Sequence, residues 1–145
     1  MKKLLTVLFA FVALAQVLAQ SSEVFVTDEG AIQGYDAVAY FKEGKPLKGK
    51  SEFSTLWNGA QWSFSSKQNL EMFKSNPEKY APQYGGYCAY GTSEGHKAPT
   101  QPDAFTIVNG KLYLNYNKDV RTEWNKNKKE RILQADKNWP TVKMQ

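Results

Sequence analysis

Phe53-Ser54-Thr55-Leu56-Trp57-Asn58-Gly59-Ala60-Gln61-Trp62-Ser63-Phe64 reads as two strands joined by a two-residue turn. Asn58 and Gly59 accept the positive φ angles of a tight primed turn, and apolar residues flank the pair on both sides. A helix is expected next. Ser65-Ser66-Lys67-Gln68 has capping-box spacing, with Ser65 placed to hold the amide near Gln68. Leu70 and Phe73 then share a face, and the helix ends near Asn76-Pro77. Pro77 can itself open a short second helix through Tyr80, with Asn76 as its cap.

The same signal recurs downstream. Phe105 to Val108, Asn109-Gly110 and Lys111 to Tyr116 read as a second hairpin. In its second arm Leu112, Leu114 and Tyr116 alternate with Lys111, Tyr113 and Asn115, so one face is expected to be buried. Upstream, Val24, Phe25 and Val26 suggest a first strand before the turn Asp28-Glu29-Gly30. The continuous apolar run Ala37-Val38-Ala39-Tyr40-Phe41 has strand length and stops at Glu43-Gly44-Lys45-Pro46. Near the end, Val120, Trp124, Ile132 and Ala135 fall on a rough i, i+4 grid for a helix from Asp119 to Ala135, ended by Asn138-Trp139-Pro140. Strands and hairpins with interspersed helices define the α+β class: one small domain of antiparallel hairpins with two to three packed helices.

The chain has 145 residues, 14% of them aromatic, which suits one folded core and excludes a disordered chain. Its start has the layout of an export signal: basic Met1-Lys2-Lys3, an apolar stretch from Leu4 to Ala15, and Val17-Leu18-Ala19 before the expected cut. Residues 1–19 are therefore expected to be a signal peptide and 20–145 the domain, secreted or periplasmic, with no membrane span after cleavage. The net charge of +5 loses two with Lys2 and Lys3, which is ordinary solubility. Export and that small surplus exclude a nucleic-acid partner. Lys126, Lys128, Lys129 and Arg131 are read as the solvated face of a helix that also carries Glu123 and Glu130.

Catalytic patterns are scarce. A single cysteine, Cys88, excludes an internal disulfide, and a single histidine, His96, excludes a histidine-built zinc site. No Ser/His/Asp spacing and no glycine-rich phosphate loop is present, so no catalytic residue is assigned.

Several stretches together resemble the YHS domain family, and most of all its exported stand-alone branch. These are Gly34-Tyr35-Asp36-Ala37-Val38-Ala39-Tyr40-Phe41 and Gly59 to Asn69, followed by Phe73, Pro77 and Tyr80. Further on come Tyr84-Gly85-Gly86-Tyr87-Cys88-Ala89, Gly110 to Asn115, and Ala135-Asp136-Lys137-Asn138-Trp139-Pro140. The resemblance covers residues 31–140 and implies a YHS-like fold in an exported binding or accessory module. It also implies copper or another soft metal, because relatives often occur in heavy-metal proteins. In metal-binding relatives cysteines stand at three positions held here by Ala39, Ser65 and Asn69, so the thiolates of that site are absent.

The remaining soft donor is Cys88, after the tight path that Gly85 and Gly86 allow. It is read as a packed small hydrophobe, a Cu(I) ligand, a reactive thiolate, or a link to another chain. His96, in an irregular loop, and Met72, on the capped helix, would complete a copper site with it. Tyr35, Asp36 and Tyr40 are ligand-binding candidates, although Asp36 can equally satisfy turn amides. Tyr84 and Tyr87, in a series with Tyr80 and Tyr90, are candidates for the wall of a pocket. Two alternatives to a metal or small-ligand module stand beside it. One is a small thiol-dependent redox enzyme using Cys88, and the other a ligand-free domain that docks an exported protein partner.

Overall fold

Both Asn-Gly pairs turn the chain as expected. In a computed structural model that describes residues 22–145, Asn58 and Asn109 have φ of 49° and 52°, and the glycines after them both have 73°. The first turn joins β3 (Lys50–Trp57) to β4 (Ala60–Phe64), pairing Trp57 with Ala60. The second joins β5 (Phe105–Val108) to β6 (Lys111–Leu114), pairing Val108 with Lys111. A third, shorter antiparallel pair, β1 (Val26–Thr27) and β2 (Gly30–Ala31), precedes them. The expected signal segment, residues 1–19, lies outside the described residues.

The run Ala37 to Phe41 is a helix, not a strand. It forms α1 (Ala37–Lys42), because Asp36 caps it: its Oδ1 accepts the amides of Val38 at 2.9 Å and Ala39 at 3.0 Å. Ala37, Val38, Ala39 and Tyr40 are all buried, so the helix is apolar on every side and shows no periodicity to distinguish it from a buried strand. The next cap is shifted by one residue. Ser66, not Ser65, caps α2 (Lys67–Ser75) by accepting Asn69 N at 3.1 Å. Pro77 opens α3 (Pro77–Tyr80) as expected, but the Asn76 side chain makes no capping bond.

The C-terminal helix is two helices. α5 (Lys118–Lys126) and α6 (Lys128–Val142) meet at Asn127, whose φ of −134° and ψ of 36° break the run. α6 continues through Asn138-Trp139-Pro140 instead of ending there. Pro140 sits in its last turn, where it forfeits one amide bond without ending the helix, and Lys143 N still reaches Trp139 O at 2.9 Å. With the short α4 (Ala89–Ser93), six α-helices occur among the described residues. The α+β assignment stands, with more helix than the two or three expected.

Two hydrophobic clusters result, and β6 is the wall between them. Leu112 and Leu114 join a first core with Val38, Tyr40, Trp62, Phe64 and Phe73. Tyr113, pointing the other way, joins Tyr84, Trp124 and Ala135 in a second, against which Trp139 and Ile132 pack. The face opposite Leu112 and Leu114 is therefore buried as well: Tyr113 is 3% exposed and Asn115, just beyond β6, is fully covered, whereas Tyr116 is 49% exposed. α5 and α6 cover that side through Trp124 and Ala135. No helix among the described residues is long and apolar enough to cross a membrane.

Candidate functional site

Asp36 is a structural hub. Besides capping α1, its Oδ2 accepts from Ser65 N at 2.8 Å, Ser65 Oγ at 2.7 Å and Asn69 Nδ2 at 2.8 Å. The carboxylate is fully buried, and five donors satisfy it. Three of its donor residues, Ala39, Ser65 and Asn69, occupy the positions at which the resemblance puts cysteines in metal-binding relatives. A carboxylate-centred hydrogen-bond cluster ties α1 to the β4–α2 junction where those relatives would use a metal. Its neighbours are structural too: Tyr40 Oη donates to Pro102 O at 2.8 Å, and burial raises its pKa. Tyr35 lies under the Lys48 ammonium, 5.0 Å from its ring centre, and bridges to Lys48 through the backbone.

Cys88 occupies the N-cap of α4. Its Sγ accepts from Gly91 N at 3.4 Å and lies 3.5 Å from Asn115 Oδ1, at 2% exposure. Burial pushes the thiol up from its ordinary value against the opposing pull of backbone amides from Gly91, Tyr116 and Tyr90. The sulfur is thus protonated at neutral pH and reached by little solvent, the reverse of an activated nucleophile. His96 is exposed and near the same short helix: a Cβ added to Gly91 would lie 3.4 Å from its Nε2. Met72 belongs elsewhere. It packs on the first core from α2, which contacts α1, α3, β3 and β4. Among the described residues no three His, Cys, Asp or Glu side chains gather where they could hold a metal ion.

The tyrosine series divides between roles. Tyr80 is in the first core, and Tyr90 lies under the Arg131 guanidinium at 4.0 Å from its ring centre. Arg131 also pairs with Glu94, so it is not merely part of a solvated face. Tyr87 donates to Ser22 O at 3.0 Å and carries the Lys97 ammonium 4.9 Å above its ring. Tyr84 is the unusual one. Its φ of 57° and ψ of 35° place a bulky side chain in left-handed space, at a local cost of roughly 1–3 kcal/mol. Gly85 and Gly86 follow at 63° and 86°, and the backbone passes so near Glu23 that any Cβ on Gly85 would collide with Glu23 O at 1.7 Å.

That bend opens a cleft of about 430 Å3 between the two clusters. Trp57 and Trp62 approach it from the first core, and Tyr84 and Trp139 from the second. Tyr84 Oη donates to Asp136 Oδ1 at 2.8 Å, which, with burial, raises the phenol's pKa. Trp139 stands edge to face with Tyr84, ring centres 5.9 Å apart, and Trp57 is held similarly by Trp62 at 5.8 Å. Glu23, Glu78 and Asp136 complete the rim, and no lysine or arginine lines it. Sequence reading singled out Tyr84 here. It missed both half-buried tryptophans, whose only signal was the number of tryptophans in so short a chain.

The YHS domain model matches residues 38–84. The matched segment runs from α1 through α3 to Tyr84, and the cleft lies where it meets the rest of the chain. No curated protein and no solved structure matches the chain.

Proposed function

We propose that this protein is an exported accessory module that binds a small ligand in the cleft between its YHS domain and its C-terminal helix. The observation that carries the reading is the cleft itself. It has a volume of about 430 Å3 and is walled by aromatic rings from both cores, with carboxylates placed at the rim. Export rests on the basic, apolar and small-residue layout of residues 1–19. A ligand-observed NMR screen of the purified protein against a set of small organic molecules, repeated with Trp139→Leu, tests the reading. Hits that vanish with the variant support it; a screen whose hits are all indifferent to Trp139 overturns it.

Copper is the ligand that the family likeness implies, with Cys88, His96 and Met72 as donors. These residues do not fit it as they stand. Cys88 Sγ already accepts an amide and is buried, Met72 lies in the other core, and His96 alone remains near the sulfur. Stoichiometric Cu(I) uptake that Cys88→Ala abolishes would move the ligand site to the sulfur. A thiol-dependent enzyme is opposed by the same burial, which holds the thiol protonated.

A further inference from the structure

We infer that the cleft selects an organic cation, an ammonium group bearing alkyl substituents; this rests on the ligand-binding reading above and names the class of ligand. Three features point the same way. Trp57 and Trp139 are only half buried and both line the cleft, so part of each indole stays open to an occupant, while Trp62 and Phe73 hold the one ring and Tyr84 and Tyr87 the other. An aromatic face attracts a cation through its quadrupole, and indole does so most strongly. Glu23, Glu78 and Asp136 then supply negative charge at the rim of a protein whose net charge is +5.

The three acids are not equivalent. Asp136 accepts the Tyr84 hydroxyl, and Glu23 is drawn toward Lys143 at 3.8 Å. Glu78 makes no ion pair or side-chain hydrogen bond among the described residues and is free to meet a ligand. Its place on α3 is fixed because Pro77 starts that helix. A neutral ligand would gain nothing from the Glu78 charge, and an anion would be repelled by it. An alkylated ammonium satisfies both walls, with its methyl groups against indole and its charge toward the acids.

Choline and its neutral isostere 3,3-dimethyl-1-butanol separate the contributions, because they share shape and differ in charge. Titration of the purified protein, followed by indole N–H shifts in NMR, is expected to show saturable choline binding at least threefold tighter than the alcohol. Trp139→Leu is expected to weaken choline by roughly tenfold, the range of a desolvated cation–π contact. Glu78→Gln is expected to weaken choline by roughly threefold and leave the alcohol unchanged. Equal binding of choline and the alcohol, lost in Trp139→Leu, overturns cation selection and leaves a ligand cleft standing. Choline shifts that survive Trp139→Leu, or no saturable shift from choline, overturn the cation assignment. The wider screen then decides the cleft separately.

Discussion

Trp62 and Trp124 are both fully buried, yet only the first has a partner for its indole N–H. Trp62 Nε1 donates to Trp57 O at 3.0 Å across its own hairpin, whereas Trp124 Nε1 has no acceptor among the described residues. The same contrast runs through the surroundings. In the first core Phe73 packs on Trp57, Trp62 and Phe64, and Asp36 satisfies every donor around it. Beside the second, Asn115 Oδ1 accepts Tyr90 N at 3.0 Å but its Nδ2 has no partner among the described residues, and Tyr84 holds a left-handed backbone. Both cores join distant segments, Val24 to Leu114 in the first and Tyr84 to Trp139 in the second, and the first also holds left-handed backbone at buried Ile32, with φ of 46°. What sets the second apart is the pair of buried side-chain donors left without partners among the described residues.

The comparison breaks most readily at Asp36. Asp36→Ala leaves five donors unsatisfied, most of them buried, and is expected to cost about 3–5 kcal/mol in urea unfolding. A loss under 1 kcal/mol would show that water replaces the carboxylate easily. The tryptophans give the next largest effect. Trp62→Phe breaks a satisfied hydrogen bond and Trp124→Phe removes an orphaned donor, so the first should destabilise more, by about 1 kcal/mol or more. Equal costs would mean that Trp124 Nε1 has a water partner. Tyr84→Phe, which removes the bond to the exposed Asp136, should cost about 1 kcal/mol by the same assay.

Alkali should act on both cores. Burial raises the Cys88 thiol above its ordinary 9.0, and the phenols of Tyr40, Tyr84, Tyr87 and Tyr113 above 10.0. The unfolded chain therefore gives up these protons first. Stability is complete below pH 9 and falls as pH rises past 9 and then 10, which unfolding midpoints between pH 7 and 11 would measure. A flat profile would mean that the groups are hydrated in the folded state. The smallest expected effect concerns metal. Because Asp36 does the tying at the family's cysteine positions, a chelator should leave the unfolding midpoint unchanged, and a drop would reveal a bound ion.

How much was legible differs by element. The hairpins were, because Asn-Gly at 58–59 and 109–110 accepts backbone angles that few other pairs do. α1 was not: its residues are apolar on every side, and only the Asp36 cap distinguished it from a strand. The break at Asn127 and the survival of α6 past Pro140 were hidden as well. Asn138 Nδ2 binds the carbonyls of Thr92 and Ser93, so α6 is held by a contact far away in the chain. At the site, Tyr84 was legible from its place before two glycines. Trp57 and Trp139 were not, because a cleft between segments leaves no local pattern.

From its residues alone this chain determined its turns, the Pro77 helix start, the α+β class and the likeness to YHS domains, since each depends on backbone preferences or motifs within a few residues. Tertiary structure decided what shares a surface: that β6 is buried on both faces, that the Cys88 sulfur is turned inward, and that Trp57 and Trp139 flank one cleft. Burial and juxtaposition depend on which distant segments pack together, and no single stretch of sequence carries that information.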